Sequence, residues 1–168
     1  MKKRRQNFIP VAHINKQFLC HLKRKGLAMN KQKKISTDIV VRFRDIDSMG
    51  HVNNAVFLTY FEEGRKAFLS EVLDIVNPAD YPFILAHIDC DFLKPVRLGD
   101  NLTLLVWIGE IGEKSFAFKY QLADRKDTSV TYGKGESIMV YFDYRTNRTI
   151  PIPGDFLKKI SPYSDQQA

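Results

Sequence analysis

Apolar and polar residues alternate along most of the chain beyond its first 36 positions, with one interruption of helical period. The first alternating run places Ile39, Val41 and Phe43 on one face, and this pattern predicts a half-buried strand. Residues 44–54 (RDIDSMGHVNN) break the alternation with Asp, Ser, Gly and Asn, so they predict a loop.

A helical period follows this loop, from Ala55 to Leu73. The apolar residues that recur there at helical spacing are Val56, Phe57, Tyr60, Phe61, Ala67, Phe68 and Val72. Either Asn53 or Asn54 can serve as the N-cap. The first half is apolar on nearly every side, so we expect it to be enclosed by other elements. Gly64 costs roughly 1 kcal/mol relative to Ala inside a helix, which predicts that a strand backbone approaches closely there.

Four more alternating runs follow the helix, and each predicts a strand. The residues predicted to share a face in each run are Ile84, Ala86, Ile88, Cys90 and Phe92; Leu102, Leu104, Val106 and Ile108; Phe116, Phe118, Tyr120 and Leu122; and Val130, Tyr132, Ile138, Val140 and Phe142. These elements predict an α+β domain with a curved antiparallel sheet wrapped around one central helix. Residues 149–160 predict an irregular segment and a short helical turn against a sheet edge.

Length and composition fit one globular domain in a chain of 168 residues, 44% of them apolar. No run of about 18 apolar residues exists to span a bilayer, so we expect a soluble protein without a membrane span. Cys20 and Cys90 have no His or Cys at ligand spacing, so neither a disulfide framework nor a zinc site is predicted. A reducing compartment is expected, with the cytoplasm as the default.

The net charge of +7 is not spread evenly along the chain. Residues 1–37 hold eleven Lys and Arg and no acid, whereas residues 38–168 carry a net charge of −4. We therefore predict a basic extension over residues 1–35 and a folded domain over residues 36–162. The extension has three interpretations: an organelle-targeting peptide for a mitochondrion or plastid, a solvated segment ahead of a true start at Met29, or a basic arm for RNA, DNA or anionic lipid. Nucleic acid is not expected as a partner of the domain.

The chemistry-bearing residues concentrate in the loop before the predicted helix. The chain contains no G-x-S-x-G, P-loop or H-E-x-x-H motif. Residues 45–54 instead place two carboxylates and an imidazole just before a helix N-terminus, whose free N–H groups can hold an oxyanion.

Several motifs occur together around this loop. They are Asp-x-Asp-x-x-Gly-His-Val-Asn-Asn at 45–54, acidic-acidic-x-Arg at 62–65, Pro-x-x-x-Gly-Asp at 95–100 and Gly-x-x-Ser at 112–115. In order and spacing they resemble the hotdog-fold acyl-CoA thioesterases of the 4-hydroxybenzoyl-CoA thioesterase type. The resemblance covers about residues 37–160 and implies the hotdog fold.

The resemblance also implies site residues. Asp47 falls on the catalytic carboxylate, acting as nucleophile or as general base, and the N–H of Asn54 falls on the oxyanion donor. His51 is expected to act as a base or to position the thioester. Further substrate-binding residues are expected to be Gly50, Asn53, Phe57, where the family commonly has Tyr, and Glu63, which is the second candidate carboxylate. Asp45 is interpreted as a turn former or an ion partner of Arg42 or Arg44.

The implied activity is hydrolysis of an acyl-CoA to free acid and CoA, with no metal or redox cofactor. The alternatives are an acyl carrier protein thioesterase, a hotdog dehydratase or isomerase, and a non-catalytic module that binds acyl thioesters or nucleic acid. Because a single curved sheet leaves edge strands with unpaired backbone groups, we expect a homodimer or homotetramer with a shared site.

Overall fold

The computed structural model describes residues 32–165. The strands are β1 (Ile35–Val40), β2 (Phe83–Phe92), β3 (Asn101–Ile111), β4 (Ser115–Asp124), β5 (Thr131–Asp143) and β6 (Arg148–Thr149), and the helices are α1 (Asn54–Leu73) and α2 (Gly154–Ile160). Three single turns of 3-10 helix lie at Phe43–Asp45, Pro78–Asp80 and Ser161–Tyr163.

The strands form one antiparallel sheet in the order β1-β3-β4-β5-β2, with β6 paired to the end of β5. The sheet wraps around α1, which contacts β1, β2, β3 and β4. This arrangement confirms the predicted α+β hotdog architecture. In this order β1 and β2 are the two edge strands of the main sheet.

Aromatic residues of α1 and β4 form the centre of the core. The ring of Phe61 stacks on Tyr120 at 4.5 Å between centroids, and Phe68 meets Phe118 edge to face at 5.1 Å. The residues predicted to face inward on β3 and β4 are all buried. The periodicity of these two central strands was therefore sufficient to predict their buried face.

Helix α1 begins where the pattern places it. The Asn53 side chain accepts a hydrogen bond from the Ala55 N–H at 2.9 Å, so Asn53 is the N-cap and Asn54 is the first helical residue. The close approach predicted at Gly64 is present, but side chains make it: a Cβ there would overlap Leu104 Cδ2 and lie 2.6 Å from Val106 Cγ2. The expectation of a strand backbone at this point was wrong.

The first strand ends three residues earlier than predicted. β1 stops at Val40, and Phe43, expected on the buried face, is 82% exposed. The chain turns at this point because the Arg42 N–H donates to Asp45 Oδ2 at 2.9 Å, which starts the turn at Phe43–Asp45. The prediction that the strand continued to Phe43 was therefore wrong.

Two other strands present faces that differ from the prediction. A bulge between Leu85 and His87 shifts the register of β2, so Phe83 is buried while Ile84 and Ala86 are exposed. On β5 the buried positions are small or flexible, namely Gly133, Ser137 and Met139, whereas the predicted Ile138, Val140 and Phe142 are only partly buried.

The C-terminal segment packs on the edge strand β2, as predicted, and reaches two inner strands as well. Phe156 of α2 contacts Phe83 on β2, Phe116 on β4 and Tyr141 on β5. Phe156 is therefore a buried core residue, and its contacts extend beyond the predicted edge.

Beyond α2, the end of the described region is tied to the residues that precede β1. The Asp165 carboxylate accepts from Gln32 Nε2 at 2.6 Å and Trp107 Nε1 at 3.1 Å, and it pairs with Lys119 Nζ at 3.0 Å. The Lys33 N–H donates to the Pro162 carbonyl oxygen at 3.2 Å. We call this set of contacts the Asp165 clasp.

Candidate active site

The loop between β1 and α1 is a closed turn held by its own backbone. Ile46 and Val52 form an isolated antiparallel bridge, and the Asp47 N–H donates to the His51 carbonyl oxygen at 2.8 Å. Gly50 has a φ of +79°, a left-handed conformation that glycine adopts without strain. The loop thus fixes the direction in which the Asp47 side chain leaves the backbone.

One carboxylate oxygen of Asp47 accepts backbone hydrogen bonds that hold the loop together. Its Oδ1 accepts from the Met49 N–H at 2.8 Å and from the His51 N–H at 3.2 Å. Its Oδ2 accepts no hydrogen bond from any residue in the range 32–165. The half-buried side chain therefore holds its position through Oδ1 while Oδ2 is free to attack a carbonyl or to accept a proton.

The start of α1 supplies an unpaired donor beside this carboxylate. The Asn53 N–H donates to the Asp45 carbonyl oxygen at 2.9 Å, and the Asn53 side chain is committed to the cap. The Asn54 N–H finds no acceptor in the described part of the chain, as expected for the first residue of a helix. It lies at the positive end of a helix of 20 residues, where an oxyanion is stabilised.

Asp45 holds the loop to the helix and is buried, with 7% exposure. Its Oδ2 accepts from the Arg42 N–H and from the Tyr60 hydroxyl, both at 2.9 Å. Burial and this carboxylate together raise the pKa of Tyr60 well above its usual range. The hydrogen bond from the Arg42 N–H supports the interpretation of Asp45 as a turn former. The expected ion pair with Arg44 is long, with 4.0 Å between Arg44 Nε and Asp45 Oδ1. Asp45 therefore anchors the loop that carries Asp47 to the same helix that carries the Asn54 N–H.

A cavity of about 410 Å³ opens at this loop. Of the predicted site residues, the structure brings together Asp47, His51, Asn53, Asn54 and Phe57 on its wall. Gly50 shapes the loop and does not line the cavity. Glu63 lies elsewhere: it lines a separate cavity of about 660 Å³ beside β1 and contacts Lys66 Nζ at 3.6 Å.

The segment from Phe92 to Val96 also lines the cavity, and our site prediction did not include it. The Leu93 and Lys94 N–H groups both donate to the Tyr132 carbonyl oxygen, at 2.8 and 3.0 Å, and the Val52 N–H donates to the Val96 carbonyl oxygen at 2.8 Å. The sequence did carry a signal, since this segment overlaps the motif at 95–100. Its position beside the Asp47 loop depends on the pairing of β2 with β5, which a single sequence does not reveal.

Within residues 32–165, no group of three or more His, Cys, Asp or Glu side chains is placed to hold a metal ion. In the same range, no helix is both long and apolar enough to cross a membrane.

Comparison with known proteins identifies relatives of this chain. A profile of the Thioesterase-like superfamily matches residues 41–160. The long-chain acyl-CoA thioesterase FadM of Escherichia coli is 24% identical over 128 residues, covering 75% of this chain and 96% of FadM. An uncharacterized protein of Bacillus subtilis, YsmA, is 28% identical over 82 residues, and this chain spans only 56% of its length. Among solved structures, that of a predicted thioesterase from Bacillus stearothermophilus has a TM-score of 0.73 at 24% identity, covering 81% of this chain and all of that one.

Proposed function

Because this chain belongs to the Thioesterase-like superfamily, we propose that it hydrolyses an acyl-CoA to a free acid and CoA at the Asp47 cavity. One observation carries the proposal: Asp47, whose Oδ2 is free, and Asn54, whose N–H is unpaired among the described residues, line the same cavity. Such a pair is what thioester hydrolysis requires, since a carboxylate starts the attack and a fixed donor stabilises the charge on the carbonyl oxygen.

Two routes use these groups. In the first, Asp47 Oδ2 attacks the thioester carbon, CoA leaves as the thiolate, and water hydrolyses the resulting mixed anhydride. In the second, Asp47 accepts a proton from a water molecule that attacks the same carbon directly. In both, negative charge develops on the carbonyl oxygen, and the Asn54 N–H donates to it. Rapid-quench mass spectrometry of the intact protein separates them, since only the first route leaves a transient acyl group on the chain.

The remaining wall residues are proposed to position the substrate. His51 already holds Asp47 through its backbone N–H and also lines the cavity, so we assign its side chain to contact with the thioester. Phe57 and the half-exposed Phe92 are apolar residues of the wall, and we assign them to the acyl group. Among the described residues that line the cavity, Lys94 is the one Lys or Arg, and we assign it to a phosphate of CoA.

We further propose that two chains pair through β2. This edge strand has ten residues and exposes Ile84, Leu85 and Phe92 by 36 to 48%, an apolar edge of the kind that pairs with another chain. Its C-terminal residue Phe92 lines the Asp47 cavity, whereas Ile84 and Leu85 lie at its other end. Antiparallel pairing about a twofold axis would therefore bring Leu85 of each chain near the cavity of the other, so that the site is shared.

Two experiments test these proposals. A panel of short-chain, long-chain and aromatic acyl-CoAs, with an acyl carrier protein thioester alongside, is assayed for release of free thiol. A 3-hydroxyacyl-CoA is assayed beside them, because loss of water from it to give an enoyl-CoA, without release of thiol, would instead indicate a dehydratase. Failure to release thiol from any of them would overturn the proposed hydrolysis.

The shared site is tested by sedimentation of the protein at micromolar concentration and by mixing two inactive variants, Asp47→Asn and Leu85→Trp. A mixed dimer contains one site with both wild-type residues, so random exchange should restore about a quarter of full activity. An active monomer, or no recovery on mixing, would contradict a shared site.

A further inference from the structure

Two glycines alternate on the face of β5 that meets α1. Glycine inside a strand is unfavourable for the folded state, and it often marks a place where another group approaches closely. A Cβ on Gly133 would lie 3.0 Å from Cε1 and 3.1 Å from Cδ1 of Phe57, and 3.2 Å from the Asp91 carbonyl oxygen, so it would be confined between the ring and the backbone of β2. A Cβ on Gly135 would overlap the Asp89 carbonyl oxygen and lie 2.5 Å from Cε2 of Phe61. Each glycine thus makes room for one aromatic ring of α1.

The two rings have different neighbours. Phe61 is fully buried in the core, where it stacks on Tyr120. Phe57 is 3% exposed and forms part of the wall of the Asp47 cavity. Its ring meets Phe92 edge to face at 5.1 Å, and Phe92 is the cross-strand partner of Gly133. Gly133 therefore lies directly behind a ring that lines the site.

We propose that Gly133 determines the length of acyl group that the Asp47 cavity accepts, by letting the Phe57 ring lie against β5 instead of extending into the cavity. This inference rests on the proposed thioesterase function. With a side chain at position 133, the ring must move by a few tenths of an ångström. It is blocked on the strand side by the new Cβ and beside it by Phe92, so the empty cavity is the direction open to it. The volume of the added methyl group is thereby taken from the cavity.

The change expected from one methyl group is measurable. A single methylene more or less in an apolar pocket changes kcat/KM by about 10-fold or more. For Gly133→Ala we therefore expect the ratio of kcat/KM for the longest accepted acyl-CoA to that for a short one to fall by about 10-fold. Gly133→Val, which adds two further methyl groups, should lower the ratio further. A ratio between two substrates is unaffected by a loss of folded enzyme, so a purely structural role would not change it.

A rescue variant tests whether Gly133 acts on the cavity by way of the Phe57 ring. Replacing the ring by a smaller side chain in Gly133→Ala/Phe57→Leu should return the ratio toward its wild-type value, and Phe57→Leu alone should raise it. The matched control is Gly109→Ala on β3, because a Cβ there meets the flexible Lys119 side chain and Gly109 does not line the cavity. Its ratio should equal that of the wild type.

Binding measurements separate this inference from the function on which it rests. The same acyl-CoA series is titrated calorimetrically into the Asp47→Asn protein with and without Gly133→Ala. If the wild type hydrolyses no thioester but the affinity for long chains still falls about 10-fold with Gly133→Ala, the proposed hydrolysis fails and the role of Gly133 stands. Equal length preferences with Gly and Ala at position 133, in turnover or in binding, would overturn that role, as would a complete absence of binding to both proteins.

Discussion

Replacing Asp47 by Asn should remove most of the turnover and leave the fold unchanged. The Asn side chain retains Oδ1 and can accept the same hydrogen bonds from Met49 and His51, at 2.8 and 3.2 Å, so the loop keeps its shape. The replaced atom is Oδ2, which has no partner within the described residues. We therefore expect the free energy of unfolding to change by less than about 1 kcal/mol.

The expected loss of rate follows from the role of Oδ2. An amide nitrogen is neither nucleophilic nor basic, and loss of a positioned acid or base typically lowers the rate by about 10²- to 10⁴-fold. This corresponds to about 3–5 kcal/mol of lost transition-state stabilisation. Asp47→Ala should lose the same activity and also destabilise the fold by about 1–2 kcal/mol, since it removes both hydrogen bonds of Oδ1.

The measurement is thiol release under saturating acyl-CoA, with urea unfolding of the same preparations. Asp100→Asn is the matched control, because Asp100 also accepts a backbone hydrogen bond in a loop, from the Arg97 N–H at 2.8 Å, and lies outside the cavity. The control should retain full activity. An Asp47→Asn protein that hydrolyses acyl-CoA within about 3-fold of the wild type would refute the assigned role.

Three further predictions concern stability. Tyr60→Phe should lower the free energy of unfolding by roughly 1.5–3 kcal/mol, because it removes a hydrogen bond to the buried Asp45 carboxylate. Because the pKa of Tyr60 is raised in the folded state, the stability that its protonated hydroxyl contributes is complete below the unfolded pKa of about 10 and is lost as the pH rises above that value. Urea unfolding should therefore show a smaller loss of stability at alkaline pH for Tyr60→Phe than for the wild type. Gly64→Ala should destabilise the fold by about 1–3 kcal/mol in the same urea assay, because the new Cβ overlaps the Leu104 side chain. This cost should exceed the gain from the better helix propensity of Ala, so an increase in stability would contradict the packing. Deleting residues 1–28 should leave the melting temperature and turnover nearly unchanged, and a large fall in either would show that this segment supports the domain.

The central strands and the loop could be predicted from the sequence because local pattern determines them. β3 and β4 bury every second residue, and their apolar period is unbroken. The motif at 45–54 was sufficient to propose Asp47 and Asn54, whose positions depend on a local turn and on a helix start. The family that this motif implied is confirmed by the match to the Thioesterase-like superfamily.

The faces of β2 and β5 could not be predicted because long-range packing determines them. On β5 the glycines at 133 and 135 face the helix, since aromatic rings of α1 fill the space that side chains would occupy. Apolar content alone therefore favoured the wrong face, the one with Ile138 and Val140. The register of β2 and the position of Phe92–Val96 at the cavity both depend on the pairing of β2 with β5, which a single sequence does not reveal.

The basic extension remains a prediction. Residues 1–31 lie outside the described part of the chain, and the choice among a targeting peptide, a solvated segment and a basic arm depends on them. The choice between the cytoplasm and an organelle depends on the same residues.

The Asp165 clasp makes the beginning and the end of the described region neighbours, because Gln32 and Asp165 touch directly. A short Gly/Ser linker could therefore join residue 165 to residue 32, while new termini are opened in the exposed turn at 126–129 between β4 and β5. In such a circular permutant β5 would come first and β4 last, yet the loop at 45–54 and the start of α1 would remain one uninterrupted piece. The order of the strands along the chain is thus separable from the geometry of the cavity, which needs the segment from Asp45 to Tyr60 to stay continuous and Phe92–Val96 to keep its place beside it.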